Sequence, residues 1–348
     1  MKKRLQWGII GTGQIARELA DGVKGSDTGE LLAVGSRAQA TADQFGKEYA
    51  VPRCYGSYEG LLADGDVEAV YIAVPHPMHA EWAIKAAEAG KHILVEKPIG
   101  MNWHEAMAMI DTARARDVFL MEAFMYRCHP QMARLIELIR GGAVGEVRLI
   151  QASFSYHSNA GPENRAFAQA LGGGGILDVG CYPVSVSRLI AGAAAGKPFE
   201  EPVDVKGCGH LGPTGVDYWA IASLRFPGDI VAQLTTGVQL NTHAENIVRV
   251  FGSDGKITVP DPWTPSRWNR DPVRLTLQRH GETQPQEILV DAPKDLYTYE
   301  ADTVAENIPR RQAPAMSWDD TLGNMRVLDR WRKEIGLIYD IERPAKTP

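Results

Sequence analysis

The chain has 348 residues, more than one ordinary hydrophobic core supports, and its 44% hydrophobic and 23% charged composition is that of a globular protein, so two domains are expected. A formal net charge of -6, with one small basic cluster at Lys2, Lys3 and Arg4, argues against nucleic acid as a partner. No apolar run approaches the roughly 18 residues needed to cross a bilayer, and no membrane partner is expected.

The charged start MKKRLQ leads into an apolar run broken by Gly8, Gly11 and Gly13, too short for the apolar region of a signal peptide. Cys54, Cys128, Cys181 and Cys208 are scattered without a CxxC pair, which fits a reducing cytoplasm and offers no zinc site. Up to Ala123, short β-rich runs (LQWGII, LLAVGS, AVYIAV, HILVE, VFLMEA) alternate with helix-spaced stretches such as HAEWAIKAAEAGK and WHEAMAMIDTARARD. That alternation predicts an α/β fold, a doubly wound parallel sheet over residues 1–123.

The first turn, GIIGTGQIA, places Gly11, Gly13 and Ala16 in a G-x-G-x-x-G/A pattern between a strand and a helix, with Thr12, Gln14 and Ile15 between them. The first glycine permits the tight turn and the second lets a pyrophosphate approach the backbone at the helix N-terminus. A purely structural turn has the same pattern. At the tip of the second strand stand Ser36 and Arg37, where an NAD site usually carries an acid. A hydroxyl and a guanidinium suit a 2′-phosphate, so NADP is expected, with NAD possible; an exposed helix start reads the same way. The loop VPHPMH after the fourth strand puts Val74, Pro75, His76 and His79 where a cofactor would lie, and the histidines have no companions for a metal. In VEKP, Glu96 and Lys97 end a buried strand on the side where open parallel sheets bind ligands, although a lysine at a strand end is common.

Beyond residue 123 the rhythm changes. A helical PQMARLIELIRGG precedes the alternating run EVRLIQASFSYH, in which Ile150, Ala152, Phe154 and Tyr156 share a face. DYWAIASLRF, DIVAQLTTGVQL and NIVRVFGSDGKITV follow as hairpin-like strands, and a last helix is expected from Asp319 to Ile335. Residues 124–348 therefore read as an α+β domain with a large, mostly antiparallel open sheet, for substrate binding and oligomerisation. Within it, LGGGGILDVGCYP sets Asp178 four residues before Tyr182; with a helix starting near Gly180 the two face the same way. Carboxylate and phenol together suit acid–base work, or a helix cap and a core ring. Arg165, in GPENRAF just before the glycines, is placed to reach cofactor or substrate, or to lie in solvent.

Taken together, GIIGTGQIA, AVYIAVPHPMHAEWAIKAAEAGKHILVEKPIG and GGGGILDVGCYP resemble the Gfo/Idh/MocA family of nicotinamide-dependent oxidoreductases over nearly the whole chain. The resemblance implies that Lys97 lies beside nicotinamide and substrate and that the Lys97–Pro98 peptide is cis. Many inositol-dehydrogenase-like members have a histidine where Tyr182 stands. Tyr182 with Ser36 and Arg37 resembles the branch holding dimeric dihydrodiol dehydrogenase, NADP-dependent xylose dehydrogenase, glucose-fructose oxidoreductase and anhydrofructose reductase. There the tyrosine is the proton donor or acceptor, so the implied catalytic set is Lys97, Tyr182 and Asp178. Met125 stands where the dihydrodiol enzyme has tryptophan while Phe154 keeps one wall, which turns the expected substrate from an aromatic diol to a sugar or polyol. Alternation in the second-domain strands puts Ile230, Ala232 and Leu234 on an inner face and leaves a mixed face with Trp219, Ile221 and Val231 among polar residues, so a homodimer paired through that face, or a dimer of dimers, is expected. Two rivals are an NAD-dependent glycoside hydrolase with tightly bound cofactor and a non-catalytic dinucleotide-binding regulator.

Overall fold

Six short strands, five of them buried along most of their length and one edge strand half-buried, are joined by helices that bury one apolar side. They are β1 (Leu5–Ile10), β2 (Gly29–Gly35), β3 (Arg53–Tyr55), β4 (Ala69–Ile72), β5 (His92–Glu96) and β6 (Leu120–Ala123). The computed structural model describes residues 3–240 and 245–343, so Lys2 of the basic cluster lies outside the described residues. All neighbouring pairs are parallel, in the order β3-β2-β1-β4-β5-β6. This is the expected doubly wound sheet. The order reverses direction between β1 and β4, and the crevice at such a switch point receives a ligand at the carboxyl ends of the strands. Connecting helices are α1 (Gln14–Lys24), α2 (Gln39–Tyr49), α3 (Tyr58–Leu62), α4 (His79–Glu88) and α5 (Trp103–Ala115). The start of α5 is fixed reciprocally: Glu105 N–H donates to the Asn102 side chain while Met101 N–H donates to the Glu105 carboxylate.

The second sheet has eight strands: β7 (Val147–Ser155), β8 (Asp204–Leu211), β9 (Asp217–Arg225), β10 (Val231–Gly237), β11 (Val248–Gly252), β12 (Gly255–Val259), β13 (Val273–Arg279) and β14 (Gln286–Val290). Their order is β14-β13-β12-β11-β7-β10-β9-β8, antiparallel throughout except for the parallel pair β7–β10. Helices α6 (Pro130–Arg140) and α7 (Cys181–Ala194) belong to the same unit, and α7 packs on β7 and β10. Alternation sorts the strand side chains as expected: Ala232 and Leu234 are buried, whereas Trp219, Ile221 and Val231 are exposed.

Two compact units result, and they are not separated by a single cut after Ala123. One takes the chain up to His129 with Ser266–Asp271 and Ala292–Leu322; the other holds Pro130–Pro265, Pro272–Asp291 and the chain from Gly323 onward. Helix α8 (Leu296–Asn307) accounts for much of the return, because it seats on α1. A Cβ at Gly22 would stand 2.6 Å from the Tyr297 backbone, and Thr298 Oγ1 donates to Gly22 O at 2.9 Å. The last helix, α9 (Trp318–Glu334), lies within one residue of its expected limits.

The stretch Gln169–Ala194, 26 residues, is long and apolar enough to cross a bilayer by length and composition alone, but it is interrupted by Asp178 and Arg188 and its most apolar part is 94% buried inside the protein, as a core segment is.

Candidate active site

In the first unit, β1 ends in a turn built for close approach. Gly11 has φ +107°, and a Cβ there would stand 2.5 Å from Ala73 O on the neighbouring strand end, so only glycine fits. Gly13 is exposed with no atom near its Cβ position and is the N-cap of α1, whose first turn has neither a side-chain cap nor an acidic residue. Arg17 Nη1 holds Thr12 O at 2.7 Å, which fixes the turn from behind. Gln14 is exposed and Ile15 half-buried at the same end. Open N–H groups, the positive end of an 11-residue helix and a bare glycine make a place that fits a dinucleotide pyrophosphate.

At the tip of β2, Ser36 is buried and its hydroxyl pairs with Thr41 Oγ1 at 2.7 Å, while Arg37 is exposed. Arg37 therefore has the reach for a phosphate, and Ser36 already has one side-chain partner. The loop after β4 carries Val74 (buried), Pro75 (half-buried) and His76 (buried). His79 departs from its expected role. Its ring is fully buried, with Nε2 2.8 Å from Val74 O and Nδ1 2.9 Å from Pro98 O, so it braces two loops and presents nothing to a cofactor. Burial is the larger influence on it and holds its pKa down to about 4. A neutral ring satisfies one of those carbonyls at a time.

At the end of β5, Glu96 is buried and accepts from the Tyr71 hydroxyl and from Lys97 N–H. Lys97 is half-buried, and the Lys97–Pro98 peptide is cis, as the resemblance implied. Met125 is buried in the short helical turn Met125–Cys128.

In the second unit, the glycine run opens into a π-type turn, Ile176–Gly180, directly followed by α7. The regular helix thus starts one residue after the expected Gly180, and Asp178 sits in the π turn while Tyr182 is the second residue of α7. Asp178 is 2% exposed, and its two oxygens accept from different groups: the Tyr156 hydroxyl on Oδ2 and Arg165 Nη1 on Oδ1 at 2.9 Å. Arg165, expected at the cofactor, is exposed yet tied to this carboxylate. Burial and the facing Asp178 charge push the Tyr156 hydroxyl well above its ordinary pKa, so it remains a donor.

Tyr182 is almost fully buried within an aromatic trio. Phe154 meets it edge-on at 5.1 Å, Trp263 meets it at 5.7 Å and 65°, and Trp263 stacks on Phe154 at 5.5 Å and 9°. Trp263 is itself oriented by donating Nε1–H to Ser153 O at 2.8 Å. Tyr156 and Trp263 were not foreseen as site residues. Tyr156 had a signal, since it lies two positions past Phe154, just beyond the end of β7, whereas Trp263 stands in the proline-flanked DPWTP with no periodicity to mark it. Together these side chains offer a buried carboxylate, two phenols and flat apolar rings, a set suited to gripping hydroxyl groups and moving a proton.

The sequence model of the oxidoreductase family with an NAD-binding Rossmann fold, Gfo/Idh/MocA, matches residues 5–124, and that of the Gfo/Idh/MocA C-terminal domain matches residues 132–258. A trans-1,2-dihydrobenzene-1,2-diol dehydrogenase of Mus musculus is 30% identical over 346 residues, covering 96% of this chain and 98% of the relative. A D-xylose 1-dehydrogenase (NADP(+)) of Haloferax volcanii is 31% identical over 329 residues, covering 93% and 95%. Among solved structures, a 3-ketoreductase from Actinomadura kijaniata in complex with NADP and TDP-benzene superposes with TM-score 0.83 at 27% identity, over 96% of this chain and 98% of that one. With both halves matched in sequence and the whole chain matched in fold, the protein is a member of the Gfo/Idh/MocA family of oxidoreductases.

Proposed function

We propose that the protein moves hydride between NADP(H) and an alcohol–carbonyl pair on a sugar, polyol or related small molecule. The observation that carries this reading is the Asp178 constellation, a buried carboxylate gripped by Tyr156 and Arg165, four residues before a second phenol set in an aromatic wall. Polar groups beside flat rings match a polyhydroxylated substrate, whose hydroxyls need paired partners and whose C–H faces need apolar contact. A relative named a D-xylose 1-dehydrogenase (NADP(+)) and a similar structure named a 3-ketoreductase in complex with NADP support the same class.

When bound, the dinucleotide supplies the hydride acceptor or donor. The turn from Gly11 to Ile15 holds its pyrophosphate, and Arg37 takes the 2′-phosphate through paired N–H donors. Lys97 donates to the reacting oxygen and favours the ionised form of the Tyr182 phenol; as phenolate Tyr182 takes the hydroxyl proton in oxidation, and as phenol it gives that proton back in reduction. Asp178 orients the substrate hydroxyls, with Arg165 and Tyr156 fixing its two oxygens. Phe154 forms a wall of the substrate site, and Met125 contributes a second apolar surface. The exposed sheet face bearing Trp219, Ile221 and Val231 is proposed to pair with a second copy, since two-fold dimers bury such self-complementary patches. A panel of aldoses, ketoses and polyols with NADP or NADPH, followed by nicotinamide absorbance, tests the function. Turnover on a member of the panel supports it, and none on any member overturns it.

A further inference from the structure

The glycine run that presents Asp178 and Tyr182 is held from beneath by a carboxyl that the reaction above does not use. Asp217, the first residue of β9, is 0% exposed. Ile176 N–H donates to its Oδ2 at 2.7 Å, and Gly175 N–H points to the same carboxyl. The fit is close enough to dictate residue type. A Cβ at Gly174, which has φ +110°, would stand 2.3 Å from Asp217 Oδ1, and a Cβ at Gly175 would stand 2.8 Å from Gly237 Cα. The π turn then follows at once, with Asp178 N–H donating to Gly174 O at 3.2 Å. Two further ties secure the run: Thr236 Oγ1 donates to Gly175 O at 3.0 Å, and the Tyr339 hydroxyl donates to Gly173 O.

We propose that Asp217 is a positioning residue for the reaction: its buried carboxyl, seated against the backbone of Gly174 to Ile176, sets the register in which Asp178 and Tyr182 are presented. The inference rests on the reading that those two side chains act on the substrate. Asp217 touches no reacting atom and works through the turn. A carboxylate is the group for this place because it accepts two adjacent N–H groups at the start of a helical segment, where the backbone donors have no partner within the helix.

Burial pushes the Asp217 carboxyl up to about 7, against the backbone N–H bonds and the Arg332 guanidinium, which act to lower it. The titratable and charged groups around it are Arg332 of α9 and Tyr339 beyond that helix, with Asp178 and Glu342 facing Tyr339 in turn. Its charge therefore changes across neutral pH. The N–H bonds strengthen as the carboxyl ionises, so the turn is held more firmly on the alkaline side.

Asp217→Asn separates this role from a merely structural one, because the amide keeps the volume and an acceptor oxygen but cannot ionise. The expected result is a folded protein with NADP affinity within about two-fold of wild type, kcat lower by ten-fold or more, and loss of an inflection near pH 7 in the kcat profile. Wild-type kcat together with a wild-type pH profile overturns the proposal. Should Asp217→Asn not fold, Asp217→Ser tests the same contact, since its short hydroxyl neither ionises nor spans the two N–H groups. Reduced kcat with NADP affinity kept supports the proposal, and unchanged turnover overturns it. Tyr182→Phe is measured in parallel. If it turns over like wild type, the functional reading falls and carries this inference with it; if it is slow while Asp217→Asn is normal, only the role of Asp217 is refuted.

Discussion

Replacing Tyr182 with phenylalanine removes one hydroxyl and leaves the ring where the protein has packed it. That ring is 3% exposed and meets Phe154 edge-on at 5.1 Å and Trp263 at 5.7 Å. Such aromatic pairs contribute about 0.5–1.5 kcal/mol each beyond their burial, and phenylalanine retains both. The fold and the glycine turn of the dinucleotide unit should therefore be unaffected, and Tm and NADP affinity should stay near wild type. If the hydroxyl is the proton relay, kcat falls by about 10²–10⁴, or roughly 2.7–5.5 kcal/mol of barrier. Lys97→Ala loses a comparable amount, because the reacting oxygen loses its charged donor. If both residues serve the same oxygen, as proposed, the double variant should be much less impaired than the product of the single losses. The assay is steady-state turnover at saturating sugar and NADP, with thermal melting and cofactor titration as controls. The competing assignment makes Lys97 and Asp178 the proton couple and Tyr182 a substrate contact; it predicts a raised KM with kcat nearly unchanged. A kcat within a few-fold of wild type for Tyr182→Phe refutes the role assigned here.

Arg37→Ala should weaken NADP by about ten-fold or more and leave NAD nearly unaffected, since a charged hydrogen bond contributes about 1.5–3 kcal/mol; equal losses for both cofactors in a fluorescence titration would contradict this. Tyr156→Phe removes a group that grips Asp178, and kcat/KM should fall at least ten-fold with NADP binding intact; an unchanged value would show that the Tyr156 hydroxyl is dispensable. His79 is neutral in the fold because burial lowers its pKa to about 4 from 6.5, so the unfolded chain binds the extra proton first. Its contribution to stability is full above pH 6.5 and declines as pH falls toward 4, a slope that urea unfolding should show in wild type and that His79→Ala should reduce, with His129, lowered likewise to about 4 by burial, contributing to the remainder. Ile221→Lys puts a charge on the exposed sheet face and should shift sedimentation from dimer to monomer; a monomeric wild type at micromolar concentration would remove the proposed pairing.

Several features were legible from local pattern because their cause is local. Strand runs such as HILVE and the helix-spaced alanines of α4 fix their own burial within a few residues, and the alternation of the two kinds fixes a parallel sheet. The turn at Gly11 and Gly13 and the strand-end Lys97 were legible for the same reason. Helix α8 was not, since its apolar stripe is thin, only Tyr297, Ala301 and Val304; it also buries Thr298, Glu300 and Asp302, side chains that polarity alone would place in solvent. Only the fold supplies its seat, where Thr298 reaches Gly22 across 276 positions of chain. The same limit hid the brace made by His79, the wall made by Trp263 and the Tyr156 and Arg165 grip on Asp178. Hydropathy could not assign the stretch Gln169–Ala194 either, because a core and a bilayer select the same residues. Periodicity reports what each segment buries. The partners that meet one another in the site are set by tertiary packing, where residues far apart in sequence come within hydrogen-bonding distance.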